Sequence, residues 1–251
     1  MSTVAETLAR LAPLPPSEFS EFGDVEVVPL TRYQQLAGAF LGRNWVTIPH
    51  VTHHDDIDID GIGARKVAWE QAHPGAKLTP VVVLIKALAE ALRRYPHFNA
   101  SLGDDGKSLV LKRYFNIGVA VDTPKGLLVP VIRGCDAKSL GEIATELAAL
   151  SDKARTKGLS MSDMSGSSIA LSSLGHIGGT AFTPIINAPD VAILGVSRSR
   201  STPFPGDGGA IAWRTMLPLS LSYDHRVING ADAARFVRLL GELVNDDTLY
   251  Q

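Results

Sequence analysis

The chain has 251 residues, enough for one large domain or two small ones, and its 45% hydrophobic content supports a sizeable core. A formal net charge of −2 gives no electrostatic case for nucleic acid or for an anionic membrane surface. No apolar run reaches the roughly 20 residues of a membrane span, and the single cysteine, Cys135, excludes an intrachain disulfide and fits a reducing, cytoplasmic setting.

Residues 1–24 contain the Pro-rich run Leu11 to Pro16 and a polar, acidic stretch, which read as an extended arm. Acidic Glu6 and the lack of a long apolar core set this segment apart from secretory signals and Arg-rich transit peptides. Residues 25–251 read as one α/β domain (α+β in detail), because no internal linker interrupts them. Val25 to Leu30 is predicted as a short edge strand ending at Pro29. Thr31 and Gln34 form a capping box for a helix through about Asn44. A strand over Pro49 to Asp58 and a helix over Gly61 to His73 follow. Thr79 with Pro80 starts a buried helix to Arg94. Ala100 to Leu111 reads as a hairpin around Gly103 to Gly106. Phe115 to Asp122 and Gly126 to Arg133 are apolar strands. Ser139 and Glu142 cap a helix to about Lys157. Ile169 to Ser173, Val191 to Ser197 and Ala210 to Tyr223 are strands, with Ser199 to Gly209 as one loop. The last helix spans Ala231 to Val244, and Leu249 with Tyr250 is either an apolar hook or a frayed end. This mixture predicts an antiparallel or mixed sheet with packed helices.

The chemistry concentrates at Ser222 to Gly230. Alternation over Leu217 to Tyr223 marks a strand end, and Asn229-Gly230 marks a turn. His225 therefore sits between an acid and a base on a fixed backbone, where an imidazole can reach a cleft and take a proton. A second motif, Ile169 to Gly179, carries Ser172 and Ser173 before Leu174-Gly175. Alone, such a serine pair is more often a turn or cap. His50, His53 and His54 with Asp55 and Asp56 form a run that could ligate a metal, but neighbouring strand residues face opposite ways, so no metal site is predicted. The glycine-rich pieces, Gly175 to Gly179 and Gly206 to Gly209, match no nucleotide-phosphate loop. Cys135 lacks a partner base and reads as structural.

Asp224-His225-Arg226-Val227-Ile228-Asn229-Gly230 resembles the Asp-His-Arg-x-x-Asp-Gly signature of the dihydrolipoyl acyltransferases, the core enzymes of 2-oxo acid dehydrogenase complexes. The shorter His-x-x-x-Asp-Gly core is shared with chloramphenicol acetyltransferases. The resemblance runs from about Phe22 to Val244 and includes Ile48-Pro49-His50-Val51-Thr52 and Thr183 to Pro189. It implies a chloramphenicol acetyltransferase-like fold and trimers with each active site at a subunit interface. It further implies a hollow cube of about 24 copies, an N-terminal arm wrapping a neighbour, and a role near the trimer contact for Thr183 to Pro189. It implies acyl transfer between dihydrolipoamide and coenzyme A, most like the acetyl-transferring members that serve pyruvate dehydrogenase. Succinyl and branched-chain members stay open.

On this resemblance His225 is the base that deprotonates a thiol whose pKa lies near about 8.5. The resemblance counts Ser172 as the oxyanion donor, with Ser173 as the fallback. Asn229 stands where the family usually has Asp. Either the turn needs only a side chain that bonds its own backbone, or a charge supporting the base is missing. Coenzyme A is expected as substrate, with its contact residues unassigned. The lipoyl group is expected on another domain or protein. Other subunits of the complex are the expected partners. Two alternatives stand beside this reading: a small-molecule O-acetyltransferase of chloramphenicol acetyltransferase type, and a non-catalytic scaffold of the complex core.

Overall fold

A computed structural model describes residues 18–124 and 126–250. Several helices open on a capping side chain and bury an apolar face. The helices are α1 (Arg32–Thr47), α2 (Asp60–Ala72), α3 (Pro80–Arg94), α4 (Leu140–Thr156), the single turn α5 (Met161–Met164) and α6 (Gly230–Leu243). Thr31 with Gln34, and Ser139 with Glu142, make reciprocal boxes that satisfy backbone groups a helix start leaves free. α3 is buried almost throughout, yet contains Lys86. Its ammonium has three donors, and the carbonyls of Cys135, Asp136 and Lys138 take them at 3.3, 2.8 and 2.7 Å.

The strands are β1 (His50–Asp58), β2 (Ala100–Leu102), β3 (Leu109–Leu111), β4 (Ile117–Val119), β5 (Val121–Thr123), β6 (Gly126–Leu128), β7 (Val131–Ile132), β8 (Ile169–Ser173), β9 (Ala192–Val196), β10 (Arg200–Pro205) and β11 (Ile211–Asp224). The main sheet has the order β1-β11-β9-β8-β4-β7, with β10 paired to the first half of β11. β8 runs parallel to β4 and β9 while the other pairs are antiparallel, so the sheet is mixed, as expected. Side chains alternate between its faces. Leu217, Leu219, Leu221 and Tyr223 of β11 join Leu194, Leu171 and Ile117 in the large core beneath the helices. Ala170 and Ile193 face the other way, onto Ile48 and Ile186. No helix among the described residues is long and apolar enough to cross a membrane.

The structure departs from the sequence reading in four places. Val25 to Leu30 is not a strand. It runs irregularly, with Val27 90% exposed, and no described strand offers it hydrogen bonds. The two strands expected over Phe115 to Arg133 are each divided, β4 and β7 lying in the main sheet and β5 and β6 forming a separate hairpin. Pro130 lacks the donor that would continue the ladder between β6 and β7. Ser199 to Gly209 is a hairpin arm and not a loop. Pro203 and Pro205 hid it, but β10 is an edge strand, where proline is tolerated. Its turn needs Gly208 and Gly209 at φ of +63° and +82°. Leu249 and Tyr250 are not frayed. Leu249 is buried, and the Tyr250 hydroxyl donates to the Val244 carbonyl at 2.6 Å beneath the Arg65 guanidinium. Of the expected arm, residues 1–17 lie outside the described residues, and Phe19–Phe22 is an exposed 3-10 turn.

Candidate active site

β11 ends in a braced turn. The backbone N–H of Asp224 donates to the Val191 carbonyl at 2.9 Å and that of His225 to the Pro49 carbonyl at 3.0 Å. Val227 and Ile228 both donate back to the Asp224 carbonyl at 3.0 Å. The Asp224 side chain is 4% exposed and takes the Arg226 guanidinium on both oxygens, Nε to Oδ1 at 2.9 Å and Nη2 to Oδ2 at 2.6 Å. Asp224 is thus the acid that holds Arg226, and the pair raises the arginine's already high pKa. A bidentate pair of this kind fixes geometry as well as charge. Between the two, the His225 imidazole stands exposed, its ring centroid 5.9 Å from that of Tyr223. Among the described residues no hydrogen bond holds either ring nitrogen, so the acceptor expected to fix its tautomer is not supplied by them.

Asn229 caps α6. Its Oδ1 accepts the Asp232 N–H at 3.0 Å, and its Nδ2 donates to Asp232 Oδ2 at 2.7 Å. This is the local backbone role. The extra donor that distinguishes Asn from Asp is used on a neighbouring carboxylate.

Ser172 and Ser173 end β8, opposite Gly195 and Val196 of β9. Both line a cavity of about 480 Å³ walled by the start of α3 at Thr79, by Leu147 and Arg155 of α4, and by Ser197. Ser197 is 1% exposed, and its hydroxyl is buried without a partner. The lining is mostly apolar, with a few convergent polar groups, the composition of a ligand site.

The structure does not bring Ser172 and His225 together within one chain. Across the sheet Ser172 lies level with Gly195 and then Ser220, five residues short of His225. At ~3.3 Å per residue and ~4.8 Å per strand, the two backbones are on the order of 20 Å apart. Ser173, level with Leu219, is farther still. An oxyanion donor must lie about 3 Å from the reacting oxygen. Within one chain the two residues that the resemblance singles out therefore cannot reach the same reacting atom.

The His/Asp run is dispersed as strand geometry requires. His54 Nδ1 meets the Ser220 hydroxyl at 2.9 Å on one face, while His53 opposes Leu221 on the other with a buried, unpartnered Nε2. Asp55 pairs with Arg238 and Asp56 with Arg200. His50 is bonded through both ring nitrogens, to the Ile48 carbonyl and the Ile186 N–H. His176 is exposed on its loop. Cys135 is buried, and burial pushes its thiol up to about 11, which suits a structural residue. Sequence reasoning missed the buried ion pair of Lys112 and Asp190 at 3.0 Å. Burial pushes the Asp190 carboxyl upward against the pull of Lys112. Asp190 directly precedes Val191, whose carbonyl holds Asp224. A lysine closing a short apolar hairpin was the one signal available.

Comparison with known proteins adds a family and a fold. The family described as 2-oxoacid dehydrogenases acyltransferase (catalytic domain) matches residues 22–250. The dihydrolipoyllysine-residue acetyltransferase component of the pyruvate dehydrogenase complex of Pseudomonas aeruginosa is 55% identical over 240 residues, 95% of this chain and 44% of that protein. The chain spans under half the length of such curated relatives. A solved structure of Azotobacter vinelandii dihydrolipoamide acetyltransferase, described as an investigation of a serine, a histidine and an asparagine in its catalytic mechanism, superposes with a TM-score of 0.90. It is 52% identical, and the match covers 94% of this chain and 98% of that one. A chloramphenicol acetyltransferase, at 15% identity and a TM-score of 0.54, shares the fold.

Proposed function

We propose, because the chain belongs to the 2-oxo acid dehydrogenase acyltransferase family, that it moves an acetyl group between the thiols of dihydrolipoamide and coenzyme A. The activity named for these relatives, at over half identity, supports acetyl as the group transferred. The lipoyl group comes to the site on another domain or protein, and both thiols are substrates. The observation that carries the reading is the exposed His225 on a turn braced from both sides, with the serines in a separate cavity of the same chain.

In this reading a site forms where His225 of one copy meets Ser172 of another. The imidazole of His225 takes the proton of the attacking thiol. The thiolate adds to the thioester carbonyl, and the new carbon–sulfur bond forms as the carbonyl pair moves onto oxygen. The Ser172 hydroxyl donates to that oxyanion, worth about 3 kcal/mol. Collapse breaks the old carbon–sulfur bond, and the departing thiolate takes the proton held by His225. No acyl-enzyme is formed. The cavity beside the serines is far larger than an acetyl group and suits the extended arm of a thiol substrate. Asn229 acts on this chemistry through the α6 cap that ends the turn.

Cyclic trimers supply the second copy, and a cube built from them accords with the relative described as the cubic core of the pyruvate dehydrogenase multienzyme complex. Leu36, Trp45 and Val27 are exposed in the isolated chain, as residues of an interface between copies would be. Other subunits of such a complex are the further partners. The test is acetyl transfer by the purified protein between acetyl-coenzyme A and dihydrolipoamide. The parent turns over and His225→Ala loses at least about a hundredfold. Full turnover by His225→Ala would sink the mechanism.

A further inference from the structure

We infer that His50 is the positioning residue that holds the backbone of His225 in place, an inference that rests on the acyl-transfer reading for its kinetic test. Two carbonyls hold the turn. Asp224 N–H is held by Val191 and His225 N–H by Pro49, so the base depends on two chain segments staying in register. Those segments belong to different parts of the chain, the entry to β1 and the stretch from Thr183 that leads into β9. The His50 ring ties them together.

His50 opens β1 directly opposite Asp224, and it follows the very proline that accepts from His225. Its Nδ1 lies 2.8 Å from the Ile48 carbonyl, which can only accept, so Nδ1 carries the proton. Its Nε2 lies 3.0 Å from the Ile186 N–H, which can only donate, so Nε2 is bare. The ring is neutral and its tautomer is fixed by both partners. Ile186 is gripped a second time. Its carbonyl accepts from Nδ2 of fully buried Asn44 at 2.9 Å, and the Asn44 carbonyl in turn holds the Ile48 N–H at 3.0 Å. The circuit Ile48, His50, Ile186, Asn44 is closed, and Pro49 sits inside it.

A displacement of about 1 Å at a catalytic group costs on the order of a hundredfold in rate. Loosening the circuit should therefore reach kcat without touching the substrates' binding surfaces. His50→Leu removes both ring bonds. Its kcat should fall roughly ten- to a hundredfold, with KM for either thiol substrate changed less than about threefold. His50→Gln, whose amide oxygen can reach the Nε2 position, should recover at least about fivefold of that loss. Hydrogen exchange gives a readout independent of turnover. In His50→Leu the segment carrying the Asp224 and His225 amides should exchange at least about tenfold faster, while α3 keeps its protection. Unchanged exchange at those amides overturns the inference. So does a Leu variant within twofold of the parent kcat, or a Gln variant no better than Leu. A parent protein without acyl transfer would sink the proposed function alone, and the exchange result would still decide the role of His50.

Discussion

Mixing two dead variants should restore activity. His225→Ala keeps the serine half-site and Ser172→Ala keeps the histidine half-site. On the acyl-transfer reading these halves, roughly 20 Å apart in one chain, meet between copies. In a ring of three containing both variants, either 2:1 composition leaves one interface with an intact His225 facing an intact Ser172, so about one third of sites should work. Each variant alone should run at about one hundredth of the parent rate or less, since one oxyanion donor is worth on the order of a hundredfold and the base at least as much. The contrast is about thirtyfold. Co-expression with two different affinity tags and tandem purification isolates mixed trimers, and acetyl transfer to dihydrolipoamide reads their rate. Mixed trimers that stay near one hundredth of the parent rate would refute the shared site. The same mixture made with Ser173→Ala decides which serine acts.

Asn229→Ala should lose about 1 kcal/mol from the missing cap, read as a lower urea midpoint. N229D keeps the cap acceptor but sets a second carboxylate against Asp232, so a loss below about 1 kcal/mol and near-parent kcat are expected. Lys86→Met leaves three carbonyls without their donor and should cost roughly 2 to 4 kcal/mol, measured by chemical denaturation. Burial raises the Cys135 thiol from 9.0 to about 11, so the fold favours the protonated form. That stability is fully present below about pH 9 and is lost as pH rises toward 11, a fall of roughly 3 kcal/mol by linkage. Cys135→Ala should flatten the slope of stability against pH over this window.

The order of elements was legible because each start signal is local. Thr31, Thr79 and Ser139 announce their helices through side chains three residues from their partners, and alternation over Leu217 to Tyr223 marks the core face of β11. The histidine was legible for the same reason, as a short motif bounded by a strand and a turn. The hairpin arm β10 was not, because proline is forbidden only in a paired interior and sequence does not say which strand is an edge. The ion pair of Lys112 and Asp190 was not legible because the lysine's place names no partner, and its members lie 78 residues apart and meet only through the sheet. His50 was given no role of its own, since its type was visible but its partners, Ile48 and Ile186, were not.

On the proposed reading, a catalytic site divided between the two ends of one sheet makes assembly part of the chemistry. Closing both halves inside one chain would require β11 to fold back across β9, which the pairing of Leu219 to Tyr223 with Ala192 to Val196 forbids. A neighbouring copy achieves it by rotation alone. Specific activity should then fall on dilution as the ring dissociates, roughly in proportion to the fraction of chains still assembled. Mass photometry or sedimentation at each concentration supplies that fraction, and acetyl transfer supplies the rate. Chemical cross-linking should abolish the concentration dependence. Full activity in a preparation shown to be monomeric would contradict the division of the site, since no rotation of the His225 side chain spans the distance to either serine.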